Sequence, residues 1–254
     1  MQRTNLLILG GSSEGAGLAR ALASDPRFEA TLSLAGATQH PAESPTPMRS
    51  GGFGGAEGLA RYLTENRIDA LIDATHPFAA RMKRHAVEAA SLAKVTLLAI
   101  RRPAWVPEPG DNWILVGNLE DAAAALGQKP QRVMLTTGRK ELAPFKVAGQ
   151  HFYVMRSVQA PEPGDLPARV ELIIARGPFR LDDELKLLQA HTIDVLVTKN
   201  SGGTATAAKL AAARALSLPV IMVRRPEVPG APCVESVAEA LAWLEQTHGS
   251  TSSA

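Results

Sequence analysis

The chain contains nearly the same series of segments twice. The first series is LLILGGSSEG (residues 6–15), LIDATHPFAA (71–80) and LLAIRRP (97–103). The second series is VMLTTGRKEL (133–142), VLVTKNSGGTATAA (195–208) and VIMVRRP (220–226). The matching segments are offset by about 120 to 127 positions, a spacing that indicates a duplicated domain rather than a solenoid. Two similar units predict a ligand cleft between them, because clefts between domains commonly bind ligands.

Both halves have the pattern of an α/β protein with mainly parallel sheets. Apolar runs alternate with helical segments, and each RRP is followed by a short apolar strand and an Ala-rich helix, at 113–126 and 233–244. We predict two domains, residues 1–128 and 129–247, followed by a disordered tail at 248–254. The predicted strands are 5–9, 28–34, 69–74, 95–100, 132–136, 152–155, 172–174, 195–198 and 219–223. The predicted helices are 14–24, 56–66, 79–93, 181–191 and 204–216, and residues 36–47 are predicted to form a loop.

Composition excludes several classes of function. The formal net charge is only +2 and no run of Lys and Arg exceeds two residues, so the sequence does not indicate a nucleic-acid-binding protein. Cys233 is the single cysteine, which excludes an intrachain disulfide and a cysteine-based zinc site, and the six histidines lack metal-ligand spacing. No apolar run approaches the roughly 18 residues that span a bilayer. Because the first strand begins within five residues of the N-terminus, we expect no signal peptide and a cytoplasmic location.

A glycine-rich turn follows the first predicted strand. Gly10, Gly11, Ser12, Ser13 and Glu14 lie between that strand and the first helix, where backbone amides and a helix N-terminus can receive a pyrophosphate. The spacing is closer to G-x-x-x-G-x-G than to G-x-G-x-x-G. The pattern favours a nucleotide or dinucleotide, and the alternative is a tight turn without a ligand.

The end of the second strand indicates the type of dinucleotide. An NAD site would carry Asp or Glu there for the ribose, whereas residues 33–38 read SLAGAT. Small and hydroxylic residues leave room for a 2′-phosphate, and Arg49 can neutralise it. This favours NADPH over NADH, with Gly36 and Gly54 as further cofactor contacts. The alternative is that Arg49 is an ordinary surface charge.

DATHPFA (residues 73–79) lies at the carboxyl end of a strand, where open α/β sheets bind ligands. Thr75 and His76 are expected to line the cleft, with Pro77 near the first helical turn. His76 can orient a substrate carboxylate or relay a proton. In the alternative interpretation Thr75 merely caps the helix and His76 is a turn residue.

The second half offers two further ligand loops. Thr137, Gly138 and Arg139 correspond to the glycine-rich turn but contain one glycine, so an anion on Arg139 is expected there rather than a long dinucleotide. Residues 198–204, TKNSGGT, precede a helix with Thr204 near its N-cap and are predicted to project into the cleft. The lysine precedes the glycines, which argues against a Walker A loop and an NTPase or kinase.

A short-chain dehydrogenase mechanism is excluded. That chemistry needs Tyr and Lys four positions apart, and the positions four after Tyr62 and Tyr153 are Asn and Ser. Paired basic residues near predicted strand ends, at 101–102, 139–140 and 224–225, instead suit a small polyanionic ligand.

Taken together, LILGGSSEG, GGFGG, DATHPFA, RRP, TTGR, VTKNSGGTATAAKL and PVIMVRRP resemble the precorrin-6A reductase family of cobalamin biosynthesis. The resemblance covers almost the whole chain. It implies two Rossmann-like domains, the first of them dinucleotide-binding, and NADPH-dependent reduction of one double bond of a polycarboxylate tetrapyrrole to give precorrin-6B. Because the sequence offers no metal site, any metal is expected to arrive with the substrate, and the chain can be a monomer.

The predicted site residues fall into three groups. The proton-transfer candidates are Lys199, His76 and Ser201. The predicted cofactor contacts are Gly10, Gly11, Ser12, Ser13, Glu14, Gly36, Arg49, Gly54, Thr75, Thr137, Gly138, Arg139 and Gly202. The predicted substrate contacts are Pro77, Phe78, Arg101, Arg139, Lys199, Asn200, Ser201, Gly203 and Arg224.

Three alternatives remain open. The substrate can carry cobalt, as in the early-cobalt branch of the pathway. The protein can instead be a non-catalytic NADP- or corrinoid-binding protein, since no unmistakable acid/base pair is present. A nucleotide-dependent transferase would need a metal-binding acid, for which Glu14 and Asp73 are the nearby candidates.

Overall fold

The structure is a computed structural model that describes residues 3–36 and 43–248. Part of the predicted loop at 36–47 lies outside the described residues, including Ala37 and Thr38 of the segment that was used to choose between NADPH and NADH. The predicted disordered tail also lies outside them, except for His248, which ends the last helix.

Twelve strands and eight α-helices are present among the described residues. The strands are β1 (Thr4–Leu9), β2 (Phe28–Leu34), β3 (Met48–Ser50), β4 (Ala70–Asp73), β5 (Thr96–Ile100), β6 (Asn112–Val116), β7 (Arg132–Leu135), β8 (Phe152–Ser157), β9 (Val170–Ile174), β10 (Val195–Lys199), β11 (Pro219–Val223) and β12 (Cys233–Val234). The helices are α1 (Ser13–Leu22), α2 (Ala56–Glu65), α3 (Ala80–Ala93), α4 (Leu119–Ala125), α5 (Ala143–Val147), α6 (Leu181–Ala190), α7 (Ala208–Ala215) and α8 (Val237–His248).

The chain forms two compact units. Unit 1 comprises Met1–Arg102 and Pro226–Ala254, and unit 2 comprises Pro103–Arg225. The sheet of unit 1 has the order β12-β5-β4-β1-β2-β3, and that of unit 2 has the order β6-β11-β10-β7-β8-β9. Every strand pair among the described residues is parallel. Read from the opposite edge, the two orders are β3-β2-β1-β4-β5-β12 and β9-β8-β7-β10-β11-β6. Each has the 3-2-1-4-5-6 arrangement of doubly wound dinucleotide-binding sheets, with β12 or β6 as the sixth strand. The predicted α/β class with two similar Rossmann-like domains is therefore confirmed, while a ligand cleft between them stays a prediction.

The two units exchange their sixth strands. Strand β6 follows β5 in the chain but pairs with β11 in unit 2, whereas β12 follows β11 and pairs with β5 in unit 1. The division predicted between residues 128 and 129 differs from this arrangement, since residues 103–128 belong to unit 2 and residues 226–248 to unit 1. The physical reason is that β5 and β11 present equivalent edges, so the sequence pattern fits either pairing.

Aliphatic side chains form the cores, as in other buried parallel sheets. In unit 1 one face of the sheet packs Ile8, Ile72 and Leu98 against α1 and α8, and the other packs Leu7 and Leu71 against α2 and α3. In unit 2 the strands β7, β8, β10 and β11 pack against α6 and α7. No helix within residues 3–36 and 43–248 is long and apolar enough to cross a membrane.

Two local predictions need correction. Thr204 does not cap the last helix of unit 2, because residues 205–207 form a turn and α7 begins at Ala208 with Ala207 at its N-cap. No strand was predicted at residues 48–50, but Arg49 lies there in β3, which pairs with β2 through Ser33.

Candidate functional site

The glycine-rich turn of unit 1 leaves its backbone open at the start of α1. Gly11 has a φ of 109°, and a Cβ added there would meet no atom within 4 Å. Gly15 is required for a different reason, because a Cβ there would lie 3.1 Å from Gly10 Cα and 3.3 Å from Ala74 Cβ. The turn is thus shaped for close approach of a ligand to Gly11 and for close packing of α1 on the sheet.

Ser12 holds this turn in place. Its hydroxyl accepts a hydrogen bond from the amide of Gly15 at 3.2 Å, as an N-cap, and donates to the carbonyl of Ala74 at 2.7 Å. The hydroxyl therefore ties the end of β1 to the end of β4, the two strands at the centre of the sheet.

Glu14 lies in the first turn of α1 and is paired with Arg102. The Arg102 guanidinium donates to both Glu14 oxygens at 3.1 and 2.9 Å and to Ser13 Oγ at 3.3 Å. Burial raises the pKa of Glu14, but hydrogen bonds from its own backbone amide and from Arg102, together with the Arg102 charge, outweigh burial and hold that pKa below its usual value. The negative charge beside the turn is thereby neutralised.

Arg49 is fixed at the end of β2 and β3. Its Nη1 donates to Ser33 Oγ at 2.8 Å and to the Gly51 carbonyl at 3.1 Å, and its guanidinium lies 3.8 Å from the centre of the Phe53 ring. These contacts argue against a freely moving surface charge. A planar cation is held where a dinucleotide site selects between ribose and ribose phosphate.

A buried ion pair organises the DATHPFA segment. Asp73 Oδ1 accepts from the Thr75 amide at 3.1 Å and the Thr75 hydroxyl at 2.6 Å, while Oδ2 lies 3.2 Å from Lys83 Nζ. The Thr75 hydroxyl is thus bonded to Asp73 and does not cap α3, whose N-cap is Ala79. The His76 Nδ1 accepts from the Phe78 amide at 3.2 Å, so this ring nitrogen is engaged within the turn.

The corresponding loop of unit 2 has one open glycine. Gly138 has a φ of 97° and no atom within 4 Å of an added Cβ. Arg139 donates to the Ala160 carbonyl at 3.3 Å, and the buried Thr137 hydroxyl has no hydrogen-bond partner among the described residues. This loop can hold an anion, but it has fewer open backbone positions than its counterpart in unit 1.

Lys199 ends β10 and forms an ion pair with Glu141. The lysine side chain is 12% exposed and the glutamate 47% exposed. Burial lowers the pKa of Lys199 to about 8. A lysine with such a pKa can exchange a proton near neutral pH, as a general acid must.

The segment after Lys199 is held by hydrogen bonds to the backbone of Trp105. The Asn200 side chain accepts from the Trp105 amide at 2.8 Å and donates to the Trp105 carbonyl at 2.9 Å. Arg225 donates to the carbonyls of Asn200 and Ser201 at 2.9 and 3.1 Å. The amide of Asn200 is thus used within unit 2, although it was predicted to bind substrate.

The remaining predicted residues occupy loops and strand ends of their own units. Arg101 donates to the Pro229 carbonyl at 3.1 Å, and Arg224 is exposed. Four of these remaining residues are glycines with a positive φ, namely Gly36, Gly54, Gly202 and Gly203. The cofactor, substrate and proton-transfer roles of all these residues stay predictions.

Sequence reasoning missed the partners that fix the loops. Lys83 and Glu141 were not among the predicted residues. Arg102 and Arg225, each the second arginine of a repeated RRP, were named only as members of basic pairs suited to a polyanionic ligand. That repetition was the available signal, because in each unit this arginine bonds to a loop at the sheet's carboxyl edge. Lys83 gave no such signal within its helix. No group of three His, Cys, Asp or Glu side chains suited to a metal ion occurs in residues 3–36 and 43–248.

Comparison with known proteins gives a consistent result over the whole chain. Residues 5–245 match the family model described as precorrin-6x reductase CbiJ/CobK. A precorrin-6A reductase of Sinorhizobium sp. is 50% identical over 242 residues, covering 95% of this chain and 92% of the relative. A solved structure of CobK precorrin-6A reductase superimposes with a TM-score of 0.91 at 45% identity, covering 98% of each chain. A cobalt-precorrin-6A reductase of Priestia megaterium is 27% identical over 183 residues, covering 68% of this chain and 71% of that protein.

Proposed function

The chain belongs to the precorrin-6x reductase family, and from that premise we propose that it is an NADPH-dependent enzyme that reduces one double bond of precorrin-6A to give precorrin-6B. It is an oxidoreductase of cobalamin biosynthesis that acts on a C=C bond of a tetrapyrrole. NADPH, the cobalt-free form of the substrate and the roles of individual residues are the parts that we propose.

Unit 1 supports the binding of a dinucleotide. The open Gly11 backbone, the N-terminus of α1 and the neutralised Glu14 side chain together suit a pyrophosphate. Gly10, Ser12 and Ser13 complete the proposed phosphate contacts, with Thr75 contributing through its backbone because its hydroxyl is bonded to Asp73. When bound, a reduced nicotinamide supplies a hydride.

The observation that carries the choice of NADPH is the position of Arg49. The cation is anchored by Ser33 at the end of β2, where an NAD site would carry a carboxylate. We propose that Arg49 pairs with the 2′-phosphate and that the loop glycines Gly36 and Gly54 let the backbone approach the adenosine.

Residues from both units are proposed to bind the macrocycle and to supply a proton. Reduction adds a hydride to one ring carbon and a proton to its neighbour. Lys199, with its pKa of about 8, is the leading proton source, and His76 and Ser201 are the alternatives. Arg101, Arg139 and Arg224 are proposed to pair with carboxylate arms of the substrate, to which guanidinium groups bind in a bidentate manner. Pro77, Phe78, Gly203 and the backbones of Asn200 and Gly202 are proposed to shape the ligand site.

The experiment that tests this function measures nicotinamide absorbance with purified protein and precorrin-6A under anaerobic conditions. We expect oxidation of the cofactor matched by loss of the conjugated pigment, and faster turnover with NADPH than with NADH. Turnover only with the cobalt-containing substrate would move the enzyme to the early-cobalt branch. Binding of both ligands without oxidation would support a non-catalytic corrinoid-binding protein. A cytoplasmic location and a monomeric state stay predictions.

A further inference from the structure

Unit 2 contains a layer of buried polar side chains that the proposed reaction does not use. Arg156 on β8 forms a bidentate ion pair with Glu184 on α6, one arm of which measures 3.0 Å, and the two residues are 7% and 2% exposed. The Arg156 guanidinium lies 3.8 Å from the centre of the Phe179 ring. Lys209, in the first turn of α7, is 5% exposed and lies 5.3 Å from the centre of the Trp105 ring.

The duplicated units assign a counterpart to Lys209. In unit 1, Leu9 of β1 is in register with Asp73 of β4, and Asp73 is paired with Lys83 in the first turn of the following helix. A glycine with a positive φ follows the central strand of each unit, Gly11 after β1 and Gly138 after β7. The residue two positions before this glycine is Leu9 in unit 1 and Thr136 in unit 2, so these two residues correspond. The register of β7 with β10 pairs Leu135 with Val197, and extending it by one residue places Thr198 opposite Thr136, at the position of Asp73.

Unit 2 therefore has a lysine, Lys209, in the first turn of the helix, as unit 1 has Lys83, but it has Thr198 where unit 1 has the carboxylate of Asp73. Among the described residues, no carboxylate oxygen lies within 4.0 Å of Lys209 Nζ. Thr198 is fully buried, and its hydroxyl has no hydrogen-bond partner among those residues. Since Arg156 and Glu184 neutralise each other, the layer carries one positive charge whenever Lys209 is protonated.

A buried ammonium group without a counter-charge is unfavourable, so the neutral form of Lys209 is favoured. Burial and, to a smaller extent, the charge of Arg156 lower the pKa of Lys209 to about 7, against the opposing effect of Glu184. A single negative charge beside Lys209 would restore the balance that Asp73 provides in unit 1.

We propose that unit 2 holds an internal site for one carboxylate group, bound by Lys209 and the Thr198 hydroxyl in the place that Asp73 occupies in unit 1. The group is a single carboxylate with one negative charge, carried either by a small free anion or by one arm of the macrocycle. The second source rests on the proposed function, whereas the first does not.

The test uses the full chain and sodium formate as the smallest carboxylate. Formate is titrated into wild-type protein at neutral pH against sodium chloride of equal ionic strength, and the melting temperature is followed. At about ten times its Kd, formate should raise the melting temperature of the wild type by roughly 3 °C. Lys209→Met should abolish this saturable response.

Thr198→Asp is the decisive variant, because it supplies the missing carboxylate from within the chain. It should abolish the formate response and raise the melting temperature in the absence of formate. Lys186→Met, which removes an exposed lysine from α6, should keep the wild-type response and serves as the matched control.

A competition assay separates the two sources of the carboxylate. If formate raises KM for precorrin-6A without changing kcat, the site takes an arm of the macrocycle; if formate binds without affecting KM, the site takes a free anion. The proposal is overturned if wild type and Lys209→Met respond alike to formate. Because the melting assay needs neither NADPH nor precorrin-6A, its result is independent of whether the reductase function holds.

Discussion

Arg49 is the side chain whose replacement separates the two nicotinamide cofactors most directly. Hydrogen bonds to charged groups contribute about 1.5–3 kcal/mol, so Arg49→Gln should raise KM for NADPH about 10- to 100-fold. KM for NADH should change little, because that cofactor has no 2′-phosphate, and glutamine can still donate to Ser33. Steady-state kinetics with both cofactors provide the measurement.

Arg61 offers a matched control for this substitution, since it is an exposed arginine on the neighbouring helix α2. Arg61→Gln should leave both KM values near those of the wild type. An equal loss of affinity for NADPH and NADH in Arg49→Gln would assign Arg49 to the support of the loop through Ser33, Gly51 and Phe53, and not to recognition of a phosphate.

Lys199 gives the reaction an expected pH dependence. Its pKa of about 8 means that the side chain is an ammonium below that pH and neutral above it. If Lys199 supplies the proton, kcat/KM should fall as the pH rises through about 8. Glu141→Gln should move this fall to lower pH, because the removed carboxylate favours the ammonium form.

Measurement of kcat/KM from pH 6 to 10 in wild type and Glu141→Gln, a range of about two units on either side of the expected pKa, tests this directly. An unchanged profile in Glu141→Gln would show that another group controls the fall. His76 is then the next residue to replace, since its Nδ1 is fixed by the Phe78 amide.

The loop between β10 and α7 depends on a glycine that no other residue can replace without displacement of its neighbours. Gly202 has a φ of 67°, and an added Cβ would lie 2.0 Å from the Pro103 carbonyl oxygen. Gly202→Ala should therefore lower the melting temperature by more than the strain of a positive φ alone, which costs about 1–2 kcal/mol. That strain alone corresponds to a decrease of roughly 2–8 °C.

Two other glycines of unit 2 distinguish backbone strain from steric overlap as the cause of a lower melting temperature. Gly138 has a positive φ and open space, so Gly138→Ala should show only the cost of strain. Gly164 has open space and no positive φ, and Gly164→Ala should be close to neutral. Equal thermal shifts in Gly202→Ala and Gly138→Ala would mean that the Pro103 segment moves away without cost.

Most strands and helices were predictable from the sequence, whereas the side-chain hydrogen bonds that hold the loops in place were not. Buried strands such as β1 and β10 are continuous apolar runs ending in turn residues, so they were located within one or two residues. The Thr75 hydroxyl and the Asn200 amide are bonded within their own units, to Asp73 and Trp105, because register and loop geometry bring those partners together. Asn200 and Trp105 are 95 positions apart, and no local pattern in the sequence specifies such a pair. Thr75 and Asp73 are only two positions apart, but the sequence does not show that the hydroxyl bonds to Asp73 instead of capping the helix.

The exchange of sixth strands has the same cause at a larger scale. The segments after the two RRP motifs are similar, and each supplies a short strand and an Ala-rich helix that either sheet could accept. Which sheet receives which strand is decided by tertiary packing, such as that of Ala240 and Leu244 of α8 in the core of unit 1. The duplication thus indicated two units, but the similarity of the two segments after RRP did not show to which unit each segment belongs.

The exchange predicts which fragments fold. Residues 103–225 are continuous and contain all six strands of the unit 2 sheet, so this fragment should unfold cooperatively by itself. Residues 129–247 should not, because they lack β6 and carry β12 and α8 without the sheet on which these elements pack. Residues 1–102 should likewise need residues 226–248, supplied through a flexible linker, to complete the core around Leu98, Ala240 and Leu244. Thermal melts followed by circular dichroism compare the four chains. A cooperative transition of 129–247 at the temperature of 103–225 would show that β6 is dispensable and that the sequence-based boundary is the physical one.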